Sequence, residues 1–146
     1  MFGFERIFER VIPMKLILYT DGGARGNPGP AGAGVVLKDS YKKTIKEVGA
    51  YLGVCTNNEA EYKALVLGMQ AALKKGATEL TCYLDSELIV KQLNGEYKVK
   101  NPRMKVFYGE VRELEGKIGK VVYRHVKRDK NKEADALVNE VLDARE

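Results

Sequence analysis

The sequence predicts an α/β protein with a mixed five-stranded sheet and helices on both faces. Five short runs rich in apolar and β-branched residues read as strands, and four other segments carry helix signals. Their order along the chain is β-β-β-α-β-α-α-β-α. Consecutive strands are typical of antiparallel hairpins, whereas strands separated by helices are typical of parallel pairing. At 146 residues the chain is long enough to bury one core.

The first strand is predicted over residues 14–20, MKLILYT, and ends at Asp21. Residues 21–34 then contain six of the chain's 15 glycines and two of its four prolines. This composition predicts a tight loop with exposed backbone. Two more strands are predicted at 35–37 and 44–52, and a polar turn at 38–43 joins them.

The segment Thr56-Asn57-Asn58 predicts the start of the first helix, because short polar side chains can bind the free amides of a first turn. An apolar stripe at helical spacing continues this helix to Lys74-Lys75-Gly76. The remaining predicted elements are a strand over 79–84, a helix from Asp85-Ser86 to Asn94-Gly95, a helix from Pro102 to Ile118, a strand over 119–126 and a helix over 131–144.

Four acidic residues lie where these elements begin or end. Asp21 and Asp85 end strands, and Glu61 and Asp135 lie in first turns of helices. Acids at strand ends converge at one edge of an α/β sheet, where their mutual repulsion raises their pKa values unless a cation is bound. Oxygen ligands favour Mg²⁺, and two ions about 4 Å apart suit phosphodiester hydrolysis. A single such acid is typical of a cap or a solvated surface, so the prediction rests on all four together.

Four short motifs appear in order on these elements. They are Tyr19-Thr20-Asp21-Gly22-Gly23 with Gly26-Asn27-Pro28-Gly29, then Thr56-Asn57-Asn58 followed by Glu61, then Asp85-Ser86, and finally Asn131-x-x-x-Asp135. With these motifs the chain resembles the type 1 ribonucleases H, two-metal hybrid nucleases of the retroviral-integrase-like superfamily. The resemblance covers about residues 14–144. It implies a ribonuclease H-like catalytic domain over 14–146. The preceding N-terminal extension, 1–13, carries apolar residues at helical spacing and reads as a short amphipathic helix docked on the domain or as a frayed extension.

The resemblance implies metal-dependent endonucleolytic hydrolysis of the RNA strand of an RNA–DNA hybrid, leaving 5′-phosphate and 3′-hydroxyl ends. Two Mg²⁺ or Mn²⁺ ions are implied, with Asp21 bridging both. Glu61 and Asp85 would complete the ion on the leaving-group side, and Asp135 would belong to the ion that positions water. The candidate substrate-binding residues are Gly22, Asn27, Asn57, Asn58, Arg128 and Asn131. For the asparagines, caps and turns are the alternative interpretation.

The chain departs from the family pattern in two places. It runs almost directly from Gly95 to Pro102, so we expect the variety without a basic protrusion. A basic cluster next to Tyr97 could follow a phosphate backbone or be an ordinary solvated surface, and its members are Lys98, Lys100, Arg103 and Lys105. The loop 127–130 also lacks the histidine that many members carry there. Arg128 could serve a phosphate in its place, and His125, within a strand, is interpreted as structural.

Three other interpretations remain open: a non-catalytic nucleic-acid-binding module, an exonuclease or Holliday-junction resolvase on the same scaffold, and a small structural protein. A net charge of +5 mildly favours a polyanionic partner. Double-stranded RNA is left open as a second substrate. We expect no membrane association and a monomer. We also expect a cytoplasmic location, because Cys55 and Cys82 read as buried thiols of a reducing compartment.

Overall fold

The computed structural model describes residues 12–146, so the predicted extension 1–13 lies almost wholly outside the described residues. The five strands form one sheet in the order β3-β2-β1-β4-β5, which confirms the predicted fold class and element order. The strands are β1 Lys15–Ala24, β2 Gly29–Asp39, β3 Thr44–Cys55, β4 Glu79–Leu84 and β5 Lys120–His125. The helices are α1 Asn57–Lys74, α2 Glu87–Leu93, α3 Pro102–Ile118 and α4 Lys132–Asp143, with a 3₁₀ turn at Arg128–Lys130 before α4.

The two halves of the sheet are paired differently. Strand β1 pairs with β2, and β2 with β3, in antiparallel fashion, whereas β1, β4 and β5 are parallel. Alternate residues such as Leu18 and Val35 enter the core beneath α1 and α3. Helix α4 packs on the opposite face, across β1, β2 and β3. No helix within residues 12–146 has the length and apolar character needed to cross a membrane.

The predicted loop over 21–34 is wrong, because most of this segment is strand. Strand β1 continues to Ala24 and β2 begins at Gly29, which leaves only residues 25–28 as the turn. The glycines here let helices approach the sheet closely. A Cβ atom at Gly34 would collide with the backbone carbonyl of Ala134 in α4, and one at Gly32 would lie 3.4 Å from the carbonyl oxygen of Val138. Glycine enrichment therefore marks close packing of a helix on a strand, which composition alone cannot distinguish from a turn.

The start of α1 lies in the predicted segment, Thr56-Asn57-Asn58. Thr56 is the N-cap, and it forms a capping box with Glu59 in which each side chain accepts a hydrogen bond from the other's backbone amide. The spacing of this pair was a signal present in the sequence. Asn57 and Asn58 therefore lie inside the first turn. Glu61 is the fifth residue of the helix, not a member of its first turn as predicted.

Candidate metal centre and active site

Strand pairing brings Asp21 and Asp85 together. The parallel pairing of β1 with β4 ends at Thr20 and Leu84, so the next residue on each strand is one of these two acids. Asp85 follows directly after β4, as predicted. Asp21 does not end its strand, because β1 continues past it and pairs Asp21 with Gly34 of β2. The acids thus lie where two parallel strands diverge, a usual position for ligand sites in α/β sheets.

Glu61 reaches the same place from α1, because this helix runs very close to β1. The backbone amide of Gly22 donates a hydrogen bond to Glu61 Oε1 at 3.0 Å. A Cβ atom at Gly22 would lie 2.6 Å from the backbone nitrogen of Glu61 and would also collide with the carbonyl oxygen of Ala60. Only glycine therefore permits this approach. Oxygen atoms of Asp21, Glu61 and Asp85 all lie within 4.8 Å of one another.

The electrostatics of this group favour a bound cation. Burial raises the pKa of Asp21 to about 7, the neighbouring Asp85 and Asp135 also raise it, and a hydrogen bond with Glu61 partly opposes the rise. Burial, followed by the interaction with Asp21, raises the pKa of Glu61 well above its ordinary value. Glu61 is 6 % exposed, and its Oε2 atom has no hydrogen-bond partner among the described residues. Because a divalent cation would ligate this oxygen and remove the repulsion, the all-oxygen donor set fits a hard ion such as Mg²⁺.

Asp135 lies in the first turn of α4, as predicted, but it is not one of the three carboxylates that converge within 4.8 Å. It is near enough to Asp21 to raise the pKa of that residue. Its Oδ2 atom accepts a hydrogen bond from Asn139 Nδ2 at 3.3 Å. The structure therefore assembles three of the four predicted ligands, and the ligand role of Asp135 stays a prediction.

Asn131 links α4 to the two strand ends. It is 1 % exposed, and it does not cap α4 with its side chain. Instead its Nδ2 atom donates to the backbone carbonyl of Thr20 at 2.9 Å and to Asp85 Oδ2 at 3.3 Å. The sequence pattern makes Asn131 a substrate-binding candidate but does not indicate this contact, because no local signal specifies a partner 111 positions away. The geometry indicates a residue that orients the Asp85 carboxylate.

Two of the candidate substrate-binding asparagines brace the turn between β1 and β2 against α1. Asn57 Oδ1 accepts a hydrogen bond from the backbone amide of Ala24 at 2.9 Å, and the Asn57 amide donates to Asn27 Oδ1 at 3.0 Å. Both asparagines are exposed. Asn58 does not cap the helix, since Thr56 does. The amide nitrogens of these side chains consequently remain available at the rim of the carboxylate group.

One member of the basic cluster, Arg103, lies next to the start of α1. Arg103, in the first turn of α3, forms an ion pair with Glu59 of α1 at 3.3 Å, although its side chain is 77 % exposed. Residues 94–101 connect α2 to α3 without a further helix. On the other side of the carboxylates, Arg128 is exposed in the 3₁₀ turn before α4. The structure thus places two basic candidates, Arg103 and Arg128, beside the N-terminal ends of α1 and α4.

His125 ends β5 beside the carboxylate group. Its Nε2 atom lies 3.2 Å from the backbone carbonyl oxygen of Asp85. The side chain is exposed and lies before the loop 127–130. The contact holds the turn that carries Asp85, as a structural residue would. The structural role of His125 stays a prediction.

Comparisons with known proteins assign the family. A family model described as reverse transcriptase-like matches residues 19–141. The chain is 41% identical to the bifunctional protein Rv2228c of Mycobacterium tuberculosis over 132 residues, which are 90% of this chain and 36% of that protein, so it spans about a third of that relative. The structure of RNase H1 from Halobacterium salinarum superposes with a TM-score of 0.87 at 38% identity, covering 89% of this chain and 98% of that one.

A third match is LC11-RNase H1, solved in complex with an RNA/DNA hybrid. It has a TM-score of 0.82 and 45% identity and covers 86% of this chain and 94% of that one. The residues that the family model matches, 19–141, include part of β1, all of β2 to β5 and the residues of the carboxylate group. The chain therefore belongs to the reverse transcriptase-like family and, within it, to the type 1 ribonucleases H.

Proposed function

We propose that this chain is a metal-dependent endonuclease that hydrolyses the RNA strand of RNA–DNA hybrids. The observation that carries the proposal is the convergence of two buried carboxylates, Asp21 and Glu61, with the half-buried Asp85, and a Glu61 oxygen that lacks a partner among the described residues. Burying two carboxylates next to a third without a cation is costly, so a group of this kind indicates a function that uses one. Relatives named ribonuclease HI and an RNase H1 solved with a hybrid support the choice of substrate.

The proposed chemistry uses two divalent ions, Mg²⁺ or Mn²⁺. Asp21 would contact both, Glu61 and Asp85 would hold the ion on the side of the leaving oxygen, and Asp135 would help to hold the other. When bound, such ions activate water and neutralise the charge that develops on the phosphate. Attack of water on phosphorus and departure of the 3′ oxygen leave a 5′-phosphate and a 3′-hydroxyl. Asn131 keeps the Asp85 carboxylate directed at the site through its 3.3 Å hydrogen bond.

The rim supplies the contacts that a hybrid requires. RNA is distinguished from DNA by its 2′-hydroxyl, which both donates and accepts hydrogen bonds. Gly22, Asn27, Asn57 and Asn58 offer backbone and amide groups beside the carboxylates. Arg128 and the basic cluster around Arg103 offer charges for phosphates on either side, so binding of the hybrid is expected to weaken as salt rises.

Other properties of the working protein are part of the same proposal. We assign it to the cytoplasm, because both of its cysteines, Cys55 and Cys82, are free and buried, as is usual in a reducing compartment. We also propose that it acts as a monomer. Cleavage of double-stranded RNA is the second activity to be measured. If the protein does not cleave double-stranded RNA, its substrate is limited to hybrids.

The experiment compares cleavage of an end-labelled hybrid by the wild-type chain, Asp21→Asn and Asp85→Asn in Mg²⁺ and in Mn²⁺. We expect each substitution to lower the rate at least about 100-fold, with single-stranded DNA uncut. Glu110→Gln, an exposed carboxylate on α3, is the matched control and should cleave at the wild-type rate. Cleavage that survives in both aspartate variants would contradict the mechanism. Tight hybrid binding without any cleavage by the wild type would identify the non-catalytic binding module.

A further inference from the structure

We propose that the sheet carries a second nucleic-acid site, a platform that binds single-stranded nucleic acid next to the active site. The platform is the outer face of β1, β4 and β5, on the side of the sheet opposite the core. Its residues are Ile17, Tyr19, Thr81, Tyr83, Val122 and Arg124. The expected ligand is a single strand that continues from one end of the hybrid, and only this choice of ligand rests on the proposed function.

These residues form two rows across the strands. Tyr19 of β1 pairs with Tyr83 of β4, which pairs with Arg124 of β5. One row below, Thr81 of β4 lies between Ile17 and Val122. Their inward neighbours, such as Leu18 and Tyr123, belong to the core. Strand alternation therefore directs all six side chains to the other face.

Within residues 12–146 this part of the face is open over β4 and β5 and partly lined over β1. Helix α4 packs across β1, β2 and β3, and helices α2 and α3 contact β4 and β5 with side chains that belong to the core. Beside Tyr19, residues 129–133 form the wall of a pocket. Tyr19, Tyr83 and Val122 are accordingly half-buried, while Arg124 is exposed. An aromatic and apolar surface of this kind on a sheet requires an explanation.

The two tyrosines already form an aromatic stack that a base can extend. Their ring centroids are 4.9 Å apart and their planes differ by 18°, so the stack advances across the sheet by about one strand spacing per ring. On the β2 side, Lys38 Nζ lies 5.5 Å from the Tyr19 ring centroid. On the β5 side, the next position in the stack lies above Arg124. A flat base fits there, with the Arg124 guanidinium beside it.

Charge and position favour a nucleic-acid strand over a protein partner. Arg124 forms no ion pair with any described residue, so its charge is available for a phosphate. Asp21 follows Tyr19 by two positions and Asp85 follows Tyr83 by two, which places the stack about 7 Å below the carboxylates. Aromatic rings combined with cations on an open sheet are how proteins bind single strands without reading sequence. The surface is thus continuous with the active site.

The test measures binding of fluorescently labelled oligothymidylate and oligouridylate to the full chain by anisotropy, in EDTA so that nothing is cut. Tyr83→Ala is expected to weaken binding about 5- to 10-fold and Tyr83→Phe to retain it, because stacking needs the ring and not the hydroxyl. Arg124→Glu should weaken binding about 10-fold and lower the salt dependence by about one phosphate contact. The matched controls, Tyr41→Ala and Lys43→Glu on the β2–β3 turn, should bind as wild type.

A second measurement keeps the proposal falsifiable if Tyr83→Ala does not fold. Oligonucleotides that contain 5-iodouracil should photo-crosslink to Tyr83 or Tyr19 when the products are mapped by mass spectrometry. Crosslinks confined to the start of α1 or to α3, or equal losses in the two control variants, would overturn the proposal. So would a dimer in sedimentation that Arg124→Glu dissociates.

The same variants separate this proposal from the proposed function. Tyr83→Ala and Arg124→Glu should cut a blunt hybrid as fast as the wild type and should lose only the advantage that a single-stranded overhang gives. If the wild type binds single strands at Tyr83 but cleaves no hybrid, only the proposed function fails. If it cleaves hybrids but no variant alters binding of single strands, only the platform is refuted.

Discussion

Without a metal ion, the buried carboxylates should make the protein less stable as the pH rises. Burial and neighbouring acids raise the pKa of Asp21 to about 7, whereas an aspartate in an unfolded chain has a pKa near about 3.9. Between these values the folded state keeps a proton that the unfolded state has released. The contribution of Asp21 to the free energy of unfolding is therefore fully present below about pH 4 and is lost as the pH rises through about 7. Glu61 acts in the same direction, since burial also raises its pKa.

The size of this effect follows from the two pKa values. They differ by about 3, which corresponds to about 4 kcal/mol of unfolding free energy at 25 °C. Asp21 is 4 % exposed, so solvent screening reduces the figure little. Asp21→Asn removes the titrating group while keeping the shape of the side chain. The variant should therefore gain up to about 4 kcal/mol over the wild type between about pH 4.5 and about pH 7.5.

The measurement is urea unfolding in EDTA, followed by circular dichroism at several pH values in this range. The quantity of interest is the difference between Asp21→Asn and the wild type, because carboxylates outside the site titrate equally in both proteins. The variant also relieves Glu61, whose pKa Asp21 helps to raise, so both changes have the same sign. Saturating Mg²⁺ should restore the unfolding free energy of the wild type at the upper pH values and have little effect on that of Asp21→Asn. Glu110→Gln controls for the loss of an exposed carboxylate. Parallel stability curves for the wild type and Asp21→Asn would show that the pKa of Asp21 is not raised in the folded state.

Three further substitutions test the surroundings of the site. Gly22→Ala should destabilise the protein by at least about 3 kcal/mol and abolish Mn²⁺ binding, because the new Cβ atom would collide with Ala60. The control Gly109→Ala, with open space around it, should be neutral or stabilise the protein by about 0.5–1 kcal/mol. Equal melting temperatures for these two variants would contradict the prediction. Thr56→Ala should cost about 1 kcal/mol in urea unfolding through loss of the cap, and Thr56→Ser should restore it. Asn131→Ala should weaken Mn²⁺ binding about 10-fold in calorimetry, and unchanged affinity would show that Asn131 does not orient the ligand.

Local signals predicted most of the elements correctly. The helix over 102–118 has the predicted ends, because Pro102 suits a first helical position and Gly119 follows the last one. The strand over 79–84 was also placed correctly, with Asp85 directly after it. Each of these signals acts within a few residues of the feature that it specifies. The ends of these elements can therefore be predicted from the sequence alone.

Predictions failed where a distant element decided the conformation. The glycine-rich segment 21–34 predicts a loop, because glycine permits many backbone conformations. In the structure Gly22 and Gly34 are strand residues that accommodate α1 and α4 respectively. The contact partners of these glycines lie far away in sequence, so no local pattern distinguishes the two roles.

Patterns in the sequence are enough to predict the order of the elements, the family and the identity of the acids at strand ends and helix starts. The tertiary structure decided which acids meet: Asp21, Glu61 and Asp85 converge within 4.8 Å and Asp135 stands beside them. It also decided that Asn131 holds Asp85 and that Tyr19 stacks on Tyr83. Distances, burial and pKa shifts arise from contacts between residues that only folding brings together. Spacing along the chain can name the ligands, but the geometry of the site depends on how β1, β4, α1 and α4 pack.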